Sequence, residues 1–167
     1  MSLYIYLPCF NPTSVSTVRV SSPWNVLINI GPTKEGTISP IFQERLRDIG
    51  KFLEVNGEAI YAAQPWKTCQ NETANNVTYA WYTTKKESDK LTLYATFVNW
   101  PKDDELSLPC VTIGSGNSVY LLGYDGQKYS LPLRWDKNAK GITVHLPKKS
   151  LTLFPWAWTL KFVNIGG

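Results

Sequence analysis

The feature that most constrains this chain is a change of hydrophobic period within residues 25–66. Val26, Leu27, Ile28 and Ile30 form an almost continuous apolar run broken only by Asn29. A strand buried on both faces reads this way, as in parallel sheets covered by helices. Gly31-Pro32 ends it. Ser39 is placed to cap a helix, and Pro40 stands at the first helical position, where its missing N–H costs nothing. Phe42, Leu46, Ile49 and Leu53 then recur at helical spacing and make one stripe, while Glu44, Arg45, Asp48, Lys51 and Glu54 occupy the other sides. Asn56-Gly57 supplies a left-handed stop. The segment is the strand–helix unit of an α/β fold.

A lone strand–helix unit is not a domain. Burying the four large side chains of the stripe is worth roughly 6–12 kcal/mol, at about 1.5–3 kcal/mol each. That is comparable to the whole stability of a typical domain, about 5–15 kcal/mol. The stripe therefore needs a partner surface, and little sequence upstream of Asn25 can supply one. Residues 3–10 are apolar, but the run is short, interrupted by Pro8 and preceded by no basic residue, which fits a secretory signal poorly. No run approaches the ~20 apolar residues of a membrane span.

After Trp66 the period becomes two. Val77, Tyr79 and Trp81 alternate with Thr78, Ala80 and Tyr82, and Leu91, Leu93, Ala95 and Phe97 form the next inward set. Val119 and Leu121 lead to an Asp125-Gly126 hairpin signal. Tyr129, Leu131, Leu133 and Trp135 follow, with Pro132 placing that strand at an edge or bulge. Ile142, Val144 and Leu146 come next, and Trp156, Trp158, Leu160 and Phe162 share a face. About six short strands separated by turn signals make a β-sandwich.

Few residues offer chemistry. His145 is the single histidine; it alternates with Val144 and Leu146 and is expected to face solvent, with no second ligand type beside it. Asp103-Asp104-Glu105 is a compact acidic run that reads as a solvated turn. Glu44, Asp48 and Glu54 belong to the polar side of the helix. Gly114-Ser115-Gly116 lacks the strand–helix context of a phosphate loop. Cys69 and Cys110 can pair if the chain matures in an oxidising compartment, and no C-x-x-C spacing suggests zinc. Asn71-Glu72-Thr73 and Asn76-Val77-Thr78 are sequons in an expected polar loop, making Asn71 and Asn76 the candidate N-glycosylation sites. Trp81, Trp135 and Trp156 could stack on sugars, although aromatic residues at period two are more often core. The net charge of +4 is mild, and Lys85-Lys86 and Lys148-Lys149 are short pairs near expected turns. Nothing here calls for nucleic acid, a membrane, a metal or a cofactor.

Residues 25–66 closely resemble the C-terminal end of the catalytic barrel of glycoside hydrolase family 29, the α-L-fucosidases. The matching residues are Val26-Leu27-Ile28-Asn29-Ile30, Gly31-Pro32-Thr33, Gly36-Thr37-Ile38, the helical run from Pro40 to Leu46, and Val55-Asn56-Gly57-Glu58-Ala59-Ile60-Tyr61 through Pro65-Trp66. Looser matches follow at Trp81-Tyr82-Thr83, Trp100-Pro101, Leu122-Gly123 and Ala157-Trp158-Thr159-Leu160-Lys161. The resemblance implies a mainly β chain: a C-terminal antiparallel β-sandwich over residues 67–167, preceded over 23–66 by the last βα unit of a (β/α)8-like barrel. Residues 1–22 match nothing in the family and are expected to be disordered. The family reaction is retaining hydrolysis of terminal α-L-fucose from glycoconjugates by two carboxyl groups. Its nucleophile and fucose-holding residues lie upstream of the matched part, so no residue here inherits a catalytic role. A complete barrel needs about 200 or more residues, and this chain has 167. The resemblance implies a truncated form, inactive alone, of lysosomal or secreted origin. The alternative is a non-catalytic module that binds glycans, self-associates or joins full-length fucosidase.

Overall fold

The computed structural model describes residues 3–6, 26–75, 77–87, 90–114, 116–124 and 131–165. It is mainly β and antiparallel. The strands are β1 (Leu3–Tyr6), β2 (Val26–Asn29), β3 (Gln64–Pro65), β4 (Asn71–Ala74), β5 (Val77–Glu87), β6 (Lys90–Phe97), β7 (Glu105–Leu108), β8 (Ser118–Leu121), β9 (Leu131–Leu133), β10 (Trp135–Asn138), β11 (Gly141–His145) and β12 (Trp158–Ile165). A helix, α1 (Pro40–Asn56), precedes the antiparallel part.

Two sheets form the sandwich. The larger has the order β3-β5-β6-β12-β8-β9, with β4 pairing the same edge of β5 as β3. The smaller has the order β10-β11-β7. Their facing side chains make the core: Ala80, Tyr82, Leu93, Phe97, Leu160 and Phe162 from one sheet meet Leu106, Leu108, Ile142 and Val144 from the other, all buried. At one end Trp100 and Trp158 meet edge-on with ring centroids 4.9 Å apart, and Phe97 lies against both.

The inward set on β5 is Ala80 and Tyr82, not the Tyr79–Trp81 set that simple alternation favours. The register between β4 and β5 shifts after Glu72, so that Glu72 faces Ala80 while Thr73 faces Thr78. Tyr79 is the extra residue of this bulge. The run from Tyr129 to Trp135 is also not one strand. Leu131–Leu133 pairs with β8, and Trp135–Asn138 pairs with β11 in the other sheet, so the chain changes sheets at Arg134. Pro132 lies on β9, an edge strand, as a residue without an N–H must. The Asp125-Gly126 signal lies outside the described residues. Lys85 and Lys86 fall within β5 rather than at a turn.

The strand–helix unit keeps its expected elements but ends differently. β2 pairs in parallel with β1, Val26 opposite Leu3 and Asn29 opposite Tyr6. The segment expected to be disordered thus contributes a strand at Leu3–Tyr6; its other residues lie outside the described ones. Ser39 starts α1 through its carbonyl, which accepts from the Phe42 and Gln43 N–H groups, and its side chain makes no cap bond. Gly57 is not left-handed: its φ of −61° continues into a 3-10 turn, Gly57–Ala59. A Cβ there would lie 2.6 Å from the ring of the exposed Tyr61, which would have to turn aside. The left-handed residue is Ala62, with φ 55°.

Phe42, Leu46, Ile49 and Leu53 are only half-buried, while Phe52 and Asn56, at the C-terminal end of α1, are fully buried. The helix therefore docks by its tail. Phe52 meets Phe154 edge-on at 5.6 Å, and a Cβ on Gly123 would lie 2.9 Å from Val55.

Gly141 sits at φ 133°, where a Cβ would lie 2.4 Å from the Leu108 carbonyl oxygen and 2.6 Å from that of Pro109. Gly141→Ala is expected to lower the unfolding free energy by about 3 kcal/mol, from backbone strain and overpacking together. A urea titration of the full chain measures this.

Candidate functional site

Three clusters of polar side chains are built into the described residues. The first joins α1 to the larger sheet. Glu58, in the 3-10 turn after the helix, accepts from Lys161 Nζ at 2.7 Å and Tyr94 Oη at 3.2 Å, both on one Oε2. Thr83 Oγ1 donates to the Ala59 carbonyl at 2.7 Å, and Thr84 Oγ1 to the Gln64 carbonyl at 3.3 Å. Beside them Thr96 and Thr159 are buried and joined through their hydroxyls at 2.9 Å. The outer face of β5, β6 and β12 is thus polar yet covered, and each hydrogen bond offsets the desolvation of its groups. Among the side-chain nitrogen and oxygen atoms of the described residues, Asn56 Oδ1 alone is buried without a hydrogen-bond partner.

The second cluster lies at the other edge. Glu72 is buried, and its Oε1 accepts from Tyr82 Oη at 3.0 Å and from the Cys110 N–H at 2.6 Å. Cys69 and Cys110 form a disulfide with their Cα atoms 6.2 Å apart. The two sulfurs and a Glu72 carboxyl oxygen lie within 4.8 Å of one another, the spacing of a metal-ligand cluster. Sulfurs committed to a disulfide are not thiolates, however, and the thiolate is the ligand form. Burial, and next the Glu72 carboxyl, push the Tyr82 phenol far above its ordinary range; the same two causes raise Tyr79.

The third cluster holds the histidine. His145 Nε2 lies 2.6 Å from Asp136 Oδ2, and Nδ1 lies 3.5 Å from Glu105 Oε1. These partners stand on the strands flanking β11, so His145 spans the outer face of the smaller sheet, half-exposed. Asp104 accepts from Trp100 Nε1 at 2.5 Å and takes a left-handed φ of 56°, so the acidic run is a turn at Asp103 and Asp104, while Glu105 already belongs to β7, where it pairs with His145. A retaining glycosidase needs two carboxyl groups about 5–5.5 Å apart with a sugar between them. Here an imidazole occupies the space between Glu105 and Asp136.

The other candidates separate. Trp135 packs against the core, and Trp156 lies against Phe154 with centroids 5.9 Å apart. Trp81 is half-buried on the outer face of β5. Asn71 is exposed at the start of β4, on a strand rather than in a loop, because its backbone pairs with β5. Asn76 lies outside the described residues. Glu58 and Glu72 were missed by sequence reasoning. Alternation marks polar residues as outward and says nothing for Glu72. For Glu58 and Lys161 a signal existed, since both stand in the runs that carry the family resemblance.

Stability should fall as pH rises above 10. The unfolded chain releases its tyrosine protons near 10.0, while Tyr82 in the folded chain holds its proton far higher; the unfolded state is therefore favoured by up to ~1.4 kcal/mol per pH unit for each such group. Tyr82→Phe is expected to flatten this alkaline slope in pH-dependent urea titrations. The disulfide closes a sequence separation of 41 residues, and the Cys69→Ala/Cys110→Ala double variant should lose about 4 kcal/mol, measured the same way at neutral pH.

Comparison with known proteins places these clusters. Residues 70–163 match the alpha-L-fucosidase C-terminal domain model. Residues 16–58 match the alpha-L-fucosidase model, beginning within the segment 1–22. The tissue alpha-L-fucosidase of Mus musculus is 42% identical over 149 residues, 87% of this chain and 30% of that protein. The plasma alpha-L-fucosidase of Homo sapiens is 43% identical over 151 residues, with the same coverage of 87% and 30%. The crystal structure of Thermotoga maritima alpha-fucosidase aligns with a TM-score of 0.61 at 25% identity, covering 88% of this chain and 32% of that one. The chain spans about 30% of the length of the curated relatives it matches. With the family's C-terminal domain covering more than half its length and a piece of the preceding unit attached, the chain belongs to the α-L-fucosidase family, glycoside hydrolase family 29, as a C-terminal portion of it.

Proposed function

We propose that this chain is the non-catalytic part of a retaining α-L-fucosidase, a truncated form that does not hydrolyse α-L-fucosides alone. Its role is to anchor the last βα unit of the catalytic barrel, residues 23–66, on the β-sandwich, residues 67–167. The observation that carries this reading is the junction at Glu58. The tail of α1 is fixed to β6 and β12 by Tyr94 and Lys161, and to β5 by Thr83. The rest of the helix keeps its stripe half-buried, with Ile41 exposed on it and Ile38 and Tyr61 exposed on the segments that flank it. A sandwich that grips one end of a helix and leaves its apolar side only half-covered suits a support for a larger body. The substrates of that body are fucosylated glycoconjugates, in a lysosomal or secreted setting, a reading supported by the likeness to tissue and plasma fucosidases.

The same exposed apolar residues, with Leu151 and Leu153, favour a second reading: association with full-length fucosidase or with another copy of this chain.

The purified 167-residue chain should release no fluorogenic leaving group from an α-L-fucoside at acidic pH above the buffer rate. Turnover lost on replacing Glu105 or Asp136 would show a catalytic site on the sandwich and overturn the proposal.

A further inference from the structure

We propose that Asn71 carries an N-linked glycan whose first N-acetylglucosamine stacks on the indole face of Trp81, so that the sugar caps an edge of the larger sheet. The argument begins with the register. The Tyr82 N–H donates to the Gln70 carbonyl at 2.9 Å, which makes 70 and 82 a hydrogen-bonded pair. The next pair, Asn71 opposite Trp81, is therefore of the non-hydrogen-bonded kind. In that kind the Cα atoms lie about 4.5 Å apart and the side chains come closest.

Both side chains belong to the outer face. Ala80, Tyr82 and Glu72 point inward and are buried, Asn71 and Thr73 are exposed, and Trp81 is half-buried. The two determinants of the sequon are also together, since Thr73 Oγ1 donates to Asn71 Oδ1 at 3.3 Å. A sugar on the Asn71 carboxamide starts beside the ring. A β-linked N-acetylglucosamine presents C–H groups on both faces and carries an apolar methyl. Indole offers a large, flat and rigid apolar surface to receive them.

The position gives the sugar a task. Among the described residues β4 pairs with β5 alone. Its outer edge is a template for another strand, a hazard that proteins blunt with charge, bulges or cover. A glycan held flat beside that edge is bulky and hydrated, and it excludes a second chain. Asn71 lies two residues from Cys69, whose disulfide fixes the start of the strand.

The test uses the full chain, produced behind a secretory leader in a glycosylating host, with Asn76→Gln so that Asn71 is the acceptor studied. Glycopeptide mass spectrometry should find Asn71 occupied. After trimming to a single N-acetylglucosamine, the N-acetyl methyl proton resonance should lie upfield of its free-sugar position, and Trp81→Leu should return it. The trimmed chain should melt about 3 °C above its Asn71→Gln counterpart when Trp81 is present, and at the same temperature in the Trp81→Leu background. An unoccupied Asn71 would overturn the proposal. So would a methyl resonance at its free-sugar position in the chain that retains Trp81, a result that stands even if Trp81→Leu fails to fold.

Discussion

The carboxylate of Glu58 is the contact on which the arrangement of helix and sandwich rests. One oxygen takes a hydrogen bond from Tyr94 and an ion pair from Lys161, residues on adjacent strands. The strands beneath it carry polar residues on their outer face: Thr83, Tyr94, Thr96, Thr159 and Lys161. Such a face can be covered only by something that offers each group a partner, because an unpaired buried polar atom costs about 1–3 kcal/mol. The 3-10 turn after α1 offers the Ala59 carbonyl and the Glu58 carboxylate. An apolar helix face laid on the same strands would leave these groups orphaned. Polarity therefore selects which part of the helical segment docks, and the deeply buried Phe52 and Asn56 follow from that choice.

Much of the fold was legible in the sequence. The change of period within residues 25–66, the start of α1 at Pro40, the inward residues of β6 and β11, and the edge position of Pro132 all follow from local rules. What failed has one cause. Alternation fixes two faces but does not say which is inward when both carry large residues, as on β5, where Tyr82 and Trp81 are both large aromatics. Tyr82 turns inward because Glu72 waits there for its hydroxyl, a pairing across ten residues and a bulge. The sheet change at Arg134 and the parallel pairing of β1 with β2 are likewise set by partners distant in the chain. The helix stripe was read correctly as apolar, but its period could not reveal that the tail, rather than the stripe, is buried most deeply.

The polar clusters also separate support from chemistry. Glu58 and Glu72 are each consumed by hydrogen bonds that hold neighbouring elements together. Glu105 and Asp136 are the carboxylates that approach a common point, and His145 fills it. Three carboxyl-bearing constellations thus serve cohesion.

The disulfide has a topological consequence. Cys69 precedes β4 in the larger sheet, and Cys110 follows β7 in the smaller one. Everything between them, including β5 and β6 at the heart of the sandwich, lies inside a covalent ring. A protease that cut any single peptide bond between residues 69 and 110 would open the ring without releasing a fragment, and the two halves of the core would stay tethered. A nick there would be a scar and not a severance.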